Sequence, residues 1–141
     1  PLPRESIRVY VRPQHPLAQR RQLTLGDLQQ QAFSRLTRLP RELERIGQEL
    51  PNLQLSGVMA AAASNDFGLL KTTACLSDLL LFAPPSAVEE EVRQRQLMRV
   101  DLQLPPGLQT RFAVVWLKQR PLSAAAELVK QALLQVAAQR A

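Results

Sequence analysis

At 141 residues the chain can bury one well-formed core or two small lobes, and it is too short for several independent domains. It carries a net charge of +6, but its arginines are scattered among glutamates and glutamines and only 4% of its residues are aromatic, which argues against direct nucleic-acid binding. A single cysteine, Cys75, excludes a disulfide framework or a cysteine metal site, and no apolar run is long enough to span a bilayer, so a cytoplasmic protein is expected.

Pro1 stands where an initiator methionine would, so the chain is expected to be processed or a piece of something longer. Ser6–Arg12 alternates, with Ile7, Val9 and Val11 on one side and Arg8, Tyr10 and Arg12 on the other, the pattern of a half-buried strand. Pro13-Gln14-His15-Pro16 breaks it. His15 is the sole histidine and has no second ligand or nucleophile near it in sequence, which assigns it to the turn. In Leu23–Leu28, Thr24 can cap a short helical turn, with Asp27 as the acidic half of a capping box and Leu25 and Leu28 as anchors. Ala32–Leu36 reads as a short strand ending at Thr37-Arg38. Leu39–Leu50 is an amphipathic helix with Leu39, Leu43, Ile46 and Leu50 on one stripe, stopped by Pro51-Asn52. Leu53–Met59 alternates as a strand and leads through alanines to Ser64.

Ser64, Asn65 and Asp66 are cap residues for a helix from about Asn65 to Leu76, with Phe67, Leu70, Ala74 and Leu76 apolar and Cys75 read as a small buried side chain. Leu79–Ala83 follows without alternation, as expected of a strand covered on both faces inside a parallel sheet. Pro84 and Pro85 end it and suit the start of a short charged helix, Ser86–Gln94. Leu97–Leu102 reads as a strand with a polar side, and Pro105-Pro106-Gly107 as a boundary. Arg111–Leu117 is a second nearly continuous apolar strand. The closing helix, capped by Ser123, is expected to bury Ala125, Leu128, Val129, Ala132, Leu133 and Val136. The alternation of strands and helices gives an α/β fold with a mostly parallel sheet flanked by helices.

The chain has no glycine-rich phosphate loop, no paired carboxylates in an apolar setting and no nucleophile–base arrangement, so neither an enzyme nor a cofactor or metal is expected. In parallel sheets ligands sit outside the carboxyl ends of strands, against helix amino termini. Thr37-Arg38 and Ser64-Asn65 fall at such places, each joining polar side chains to free backbone amides suited to a small anion. Either pair can equally act as a helix cap alone.

Several stretches together resemble the effector-binding domain of LysR-type transcriptional regulators. The strand Ile7–Arg12 followed by Pro13-Gln14-His15-Pro16-Leu17-Ala18 resembles the family's strand and "HPLA" turn. Leu23-Thr24-Leu25-Gly26-Asp27-Leu28 resembles its "L-T-L-x-D-L" segment, and Val114–Ala125 is similar to its last strand and "R-x-L-S-x-A-A" helix start. Where the family has "G-x-G-I-A-x-x-P", this chain has Ser77–Pro84, with both glycines replaced. The resemblance implies a periplasmic-binding-protein-like fold, with residues 1–12 as a hinge strand, 13–104 as the second lobe and 107–141 as the return into the first lobe. The DNA-binding domain would lie outside this chain.

The resemblance further implies effector sensing in a transcription regulator. A small anionic effector held between lobes, with Thr37, Arg38, Ser64 and Asn65 lining the second-lobe side, would alter DNA binding by a homodimer or homotetramer. Leu39, Leu43, Ile46 and Leu50 would lie at the dimer surface. A stand-alone solute-binding protein of the periplasmic type would share the fold and is the alternative.

Overall fold

The structure, a computed structural model, describes residues 2–28, 31–36, 60–104 and 108–139. Within these, the strands in chain order are β1 (Arg4–Ser6), β2 (Arg8–Val11), β3 (Phe33–Leu36), β4 (Ala60–Ser64), β5 (Leu80–Ala83), β6 (Met98–Arg99) and β7 (Gln109–Arg111). The α-helices are α1 (Phe67–Leu76), α2 (Glu89–Arg93) and α3 (Ala124–Gln139), with 3-10 turns at Leu25–Leu28 and Pro85–Ala87. The chain divides into two compact units, one of Ser6–Leu108 and one of Pro1–Glu5 with Gln109–Ala141.

The larger unit holds a five-stranded sheet in the order β4-β3-β5-β2-β6. The fold is α/β, as expected, with a mixed sheet. β3 pairs parallel with both β4 and β5, while β2 pairs antiparallel with both β5 and β6. β5 is the apolar run that reads as a central strand. Leu80 faces one cluster with Val9, Val11, Leu28 and Val100, and Leu81 and Ala83 face the other with Leu70, Ala74, Val88 and Leu97. Burying a leucine of this kind is worth about 1.5–3 kcal/mol.

Tyr10 departs from the half-buried pattern. It is buried with Leu81 and Leu70 on the face opposite Val9 and Val11, so β2 is covered on both sides, and the arginines flanking Tyr10 disguise an interior position. The alanine run is itself strand β4 rather than a connection, its backbone held by the parallel ladder to β3.

Local stops and starts follow the side chains. Thr24 donates from its amide and its hydroxyl to Asp27 Oδ2, both at 2.8 Å, and closes the turn Leu25–Leu28, whose Leu28 is fully buried. Those two bonds and the Arg20 guanidinium hold the Asp27 carboxyl below its ordinary pKa. Helix α1 begins at Phe67, with Asp66 as cap accepting from the Leu69 amide at 3.2 Å. Its inner face is Leu70 and Ala74, backed by Phe67; Leu76, expected inside, is 75% exposed, and Cys75 is half-buried rather than buried. At the other end Ser77 donates to the Thr73 carbonyl at 2.6 Å and adopts an extended backbone that feeds β5. Pro84 and Pro85 end β5 and start the 3-10 turn that leads to α2. From Leu97 to Leu102 only Met98–Arg99 is strand, although Leu97, Val100 and Leu102 are buried and Leu102 bridges Leu23.

In the smaller unit β1 and β7 form a two-stranded sheet, extended by a hydrogen bond from the Leu2 amide to the Phe112 carbonyl at 2.9 Å. The expected strand over Arg111–Leu117 is realised only to Arg111: among the described residues, 112–117 have no strand to pair with, and Val115 is 86% exposed. Helix α3 is capped by Ser123, whose Oγ accepts from the Ala126 amide at 3.2 Å, as expected. Its apolar stripe is not buried. Ala125 and Ala132 are exposed, as are Leu128, Val129, Leu133 and Val136, since periodicity defines a stripe but supplies nothing to cover it. The Leu39–Leu50 helix, the Leu53–Met59 strand and the Pro105–Gly107 boundary lie outside the described residues.

His15 takes the turn role. Buried after β2, it accepts the Leu17 amide on Nδ1 at 3.0 Å, while Nε2 is buried with no hydrogen bond of good geometry. Burial pushes its pKa below the ordinary 6.5, only partly opposed by Asp78, which the Arg12 guanidinium holds at 2.9 Å.

Two outcomes follow. Leu80→Ala and Leu81→Ala should each lower stability in urea by about 2–5 kcal/mol, because each opens a cavity on a different face of one strand; a loss under about 1 kcal/mol at either would mean that its face is not sealed. The neutral His15 contributes stability that is complete above pH 6.5 and declines as pH falls from there through its depressed folded value, since the unfolded chain takes up the proton first. The urea midpoint should therefore drop on acidification through that window, and His15→Asn should remove this part of the drop.

Candidate functional site

The candidate site is built at the carboxyl ends of the parallel pair β3 and β4. Their register sets Leu36 beside Ser64, so the last described residue of β3 and the last residue of β4 share one end of the sheet. From there the chain turns through Asn65 and Asp66 directly into α1.

Ser64 is half-buried, and its Oγ accepts the Asp66 amide at 3.0 Å, which fixes the turn. Asn65 is exposed, with its amide side chain open to solvent. Asp66 gives one carboxylate oxygen to the Leu69 amide and its carbonyl to the Leu70 amide at 3.2 Å. The amides of Phe67 and Gly68 have no acceptor among the described residues, which leaves two first-turn donors of a ten-residue helix available. A helix end of this kind, with the partial positive charge of the aligned peptides behind it, suits a carboxylate or a hydroxyl-bearing anion. The Asp66 carboxylate works against such a charge, because it already occupies part of that field.

Of the expected site residues, Ser64 and Asn65 are adjacent at this corner. Thr37 and Arg38, one step past β3, lie outside the described residues, as do Leu39, Leu43, Ile46 and Leu50 of the expected dimer surface. Asp66 was expected only as a cap. Its cost to an anion at the same helix end could have been read from its negative charge one residue after Asn65. Among the described residues no group of three or more His, Cys, Asp or Glu side chains could hold a metal ion, and no helix is long and apolar enough to cross a membrane.

Comparison with known proteins places this geometry. The family model described as LysR substrate binding domain matches residues 1–138. The SDS degradation transcriptional activation protein of Pseudomonas sp. (strain ATCC 19151) is 34% identical over 131 residues, covering 89% of this chain and 41% of that protein. Among solved structures, the Synechocystis PCC6803 CcmR regulatory domain in complex with 2-PG superposes with a TM-score of 0.69 at 17% identity, covering 97% of this chain and 65% of that one. The effector binding domain of QuiR in complex with shikimate gives 0.66 at 14% identity, over 99% of this chain and 64% of the other. The chain thus spans about two fifths of the curated relative and just under two thirds of these solved domains.

Proposed function

Because the chain belongs to the LysR substrate-binding domain family, we propose that it is the effector-sensing part of a transcription regulator, with the larger unit as the second lobe of that domain. The effector is a small organic anion held at the carboxyl ends of β3 and β4. Ser64 and Asn65 supply polar side chains, Thr37 and Arg38 complete the set from the end of β3, and the Phe67 and Gly68 amides receive the negative group. The observation that carries this reading is the coincidence, at one sheet corner, of Ser64, Asn65 and two first-turn amides without acceptors.

Sensing then requires only that effector binding favours one arrangement of a larger assembly over another. DNA contact belongs to a separate amino-terminal domain, the regulator acts in the cytoplasm as a homodimer or homotetramer, with Leu39, Leu43, Ile46 and Leu50 at the dimer surface, and no catalytic step is involved. Two structural relatives are described in complex with 2-PG and shikimate, which makes those compounds suitable first probes.

Ser64→Ala and Asn65→Ala should each weaken binding of a small organic acid by about fivefold, near 1 kcal/mol for a lost hydrogen bond, measured by calorimetry on the full chain. Asp66→Asn retains the helix cap but removes the opposing charge, and should tighten an anion by about twofold to fivefold. Unchanged affinity in both alanine variants would overturn the site, and weaker binding in Asp66→Asn would overturn the anionic character of the effector.

A further inference from the structure

Helix α1 presents a second polar surface away from the sheet corner. Lys71, Thr72 and Cys75 lie on its outer face, and with Glu91 of α2, Arg95 just beyond α2 and Gln14 of the turn after β2 they line an open cavity of about 660 Å³. That volume lies within the range of small-ligand pockets. It is contained in the larger unit and reaches neither Ser64 nor Asn65, but it adjoins the sheet-corner site at Gly68, which lines both.

Its charges are arranged unevenly. Lys71 Nζ meets Glu91 Oε1 at 2.6 Å, and both side chains are largely buried, so these two cancel across the cavity. Glu91 Oε2 is buried with no hydrogen-bond partner among the described residues. Thr72 donates its hydroxyl to the Gly68 carbonyl at 3.0 Å and keeps its lone pairs. Arg95 is exposed, and its guanidinium has no acceptor among the described residues. The lining therefore carries one uncompensated positive charge at its rim.

Arg95 is also held in an unusual backbone. Its φ is 59°, the left-handed conformation at the end of α2, where the Gln96 amide returns to the Glu91 carbonyl at 2.8 Å. Glycine is the residue that usually ends helices this way. Any residue with a Cβ is disfavoured at such a position, and disfavoured backbone conformations are found more often at functional sites.

We propose that this cavity is a second ligand site, sharing only Gly68 with the sheet-corner site, taking a small monoanion through the Arg95 guanidinium, with the Lys71–Glu91 pair as its neutral floor. A carboxylate and a phosphate share that chemistry, and one experiment separates them. Cys75 is the only cysteine in the chain and lines the cavity, so its alkylation by neutral iodoacetamide reads occupancy. The 141-residue chain is treated with 3-hydroxybutyrate, inorganic phosphate or sodium chloride at equal ionic strength, and amide shifts at Thr72, Cys75 and Gln96 follow the same titrations independently of the thiol. Arg95→Gly removes the guanidinium while suiting the left-handed backbone, so loss of fold does not confuse the result.

The expected result is alkylation slowed at least threefold by 3-hydroxybutyrate or by phosphate, whichever protects identifying the class, with concerted shifts at the three amides and both effects gone in Arg95→Gly. Two results would overturn the site: neither protection nor amide shifts with either probe, or protection that persists in Arg95→Gly.

Discussion

The larger unit depends on the antiparallel seam between β2 and β5. Both strands are buried on both faces, so each alternate side chain is committed: Val9, Val11 and Leu80 to one cluster, Tyr10, Leu81 and Ala83 to the other. A strand sealed on two sides cannot shift register by one residue without exchanging the contents of two cores. The register Arg8 with Ala83 through Tyr10 with Leu81 is thereby fixed, and β3 and β6 are placed by pairing against this seam. The corner where β4 meets α1 inherits its position from the same seam through β3.

Helix α1 joins the two proposed sites. Its inner face is core, its amino terminus adjoins Ser64 and Asn65, and its outer face lines the cavity that includes Arg95. Its two threonines, Thr72 and Thr73, and its C-cap Ser77 return their protons to carbonyls one turn earlier. These bonds satisfy the hydroxyls locally and leave the faces of the helix to be distinguished by charge and shape.

Much of this was legible in the sequence where the signal is local. The β5 run, the proline stop after it, the Thr24–Asp27 closure and the Ser123 cap each need only neighbouring residues, and each is present. However, β5 lies between a parallel and an antiparallel neighbour, and the Thr24 hydroxyl donates to Asp27 instead of capping. The departures share one cause, which is that local pattern does not show what lies opposite. Tyr10 between arginines looked solvated until α1 was placed over it. The alanines of β4 have weak strand propensity and are strand because β3 pairs with them. Residues 112–117 are apolar enough for a strand, but beyond the Phe112 carbonyl, which accepts the Leu2 amide, no described strand pairs with them. For the candidate site, Ser64 and Asn65 were visible as cap-type residues. The Lys71–Glu91 pair was not, because twenty positions separate its members and only the approach of α2 to α1 brings them together. A left-handed arginine gives no sequence signal at all.

The uncovered stripe of α3 bears on how the chain comes apart. A helix that already shows its leucines and valines to water gains little apolar exposure on melting, so it contributes little to the heat capacity of unfolding and little to cooperativity. A sixteen-residue helix held mainly by its own hydrogen bonds melts gradually, whereas the doubly sealed seam of the larger unit should melt sharply. The chain carries an optical reporter for each event: Trp116, with the Lys130 ammonium 5.0 Å above its ring, for the helix, and Tyr10, buried under α1, for the seam. Heating should separate the two signals, so a melting temperature taken from helix content alone would describe neither.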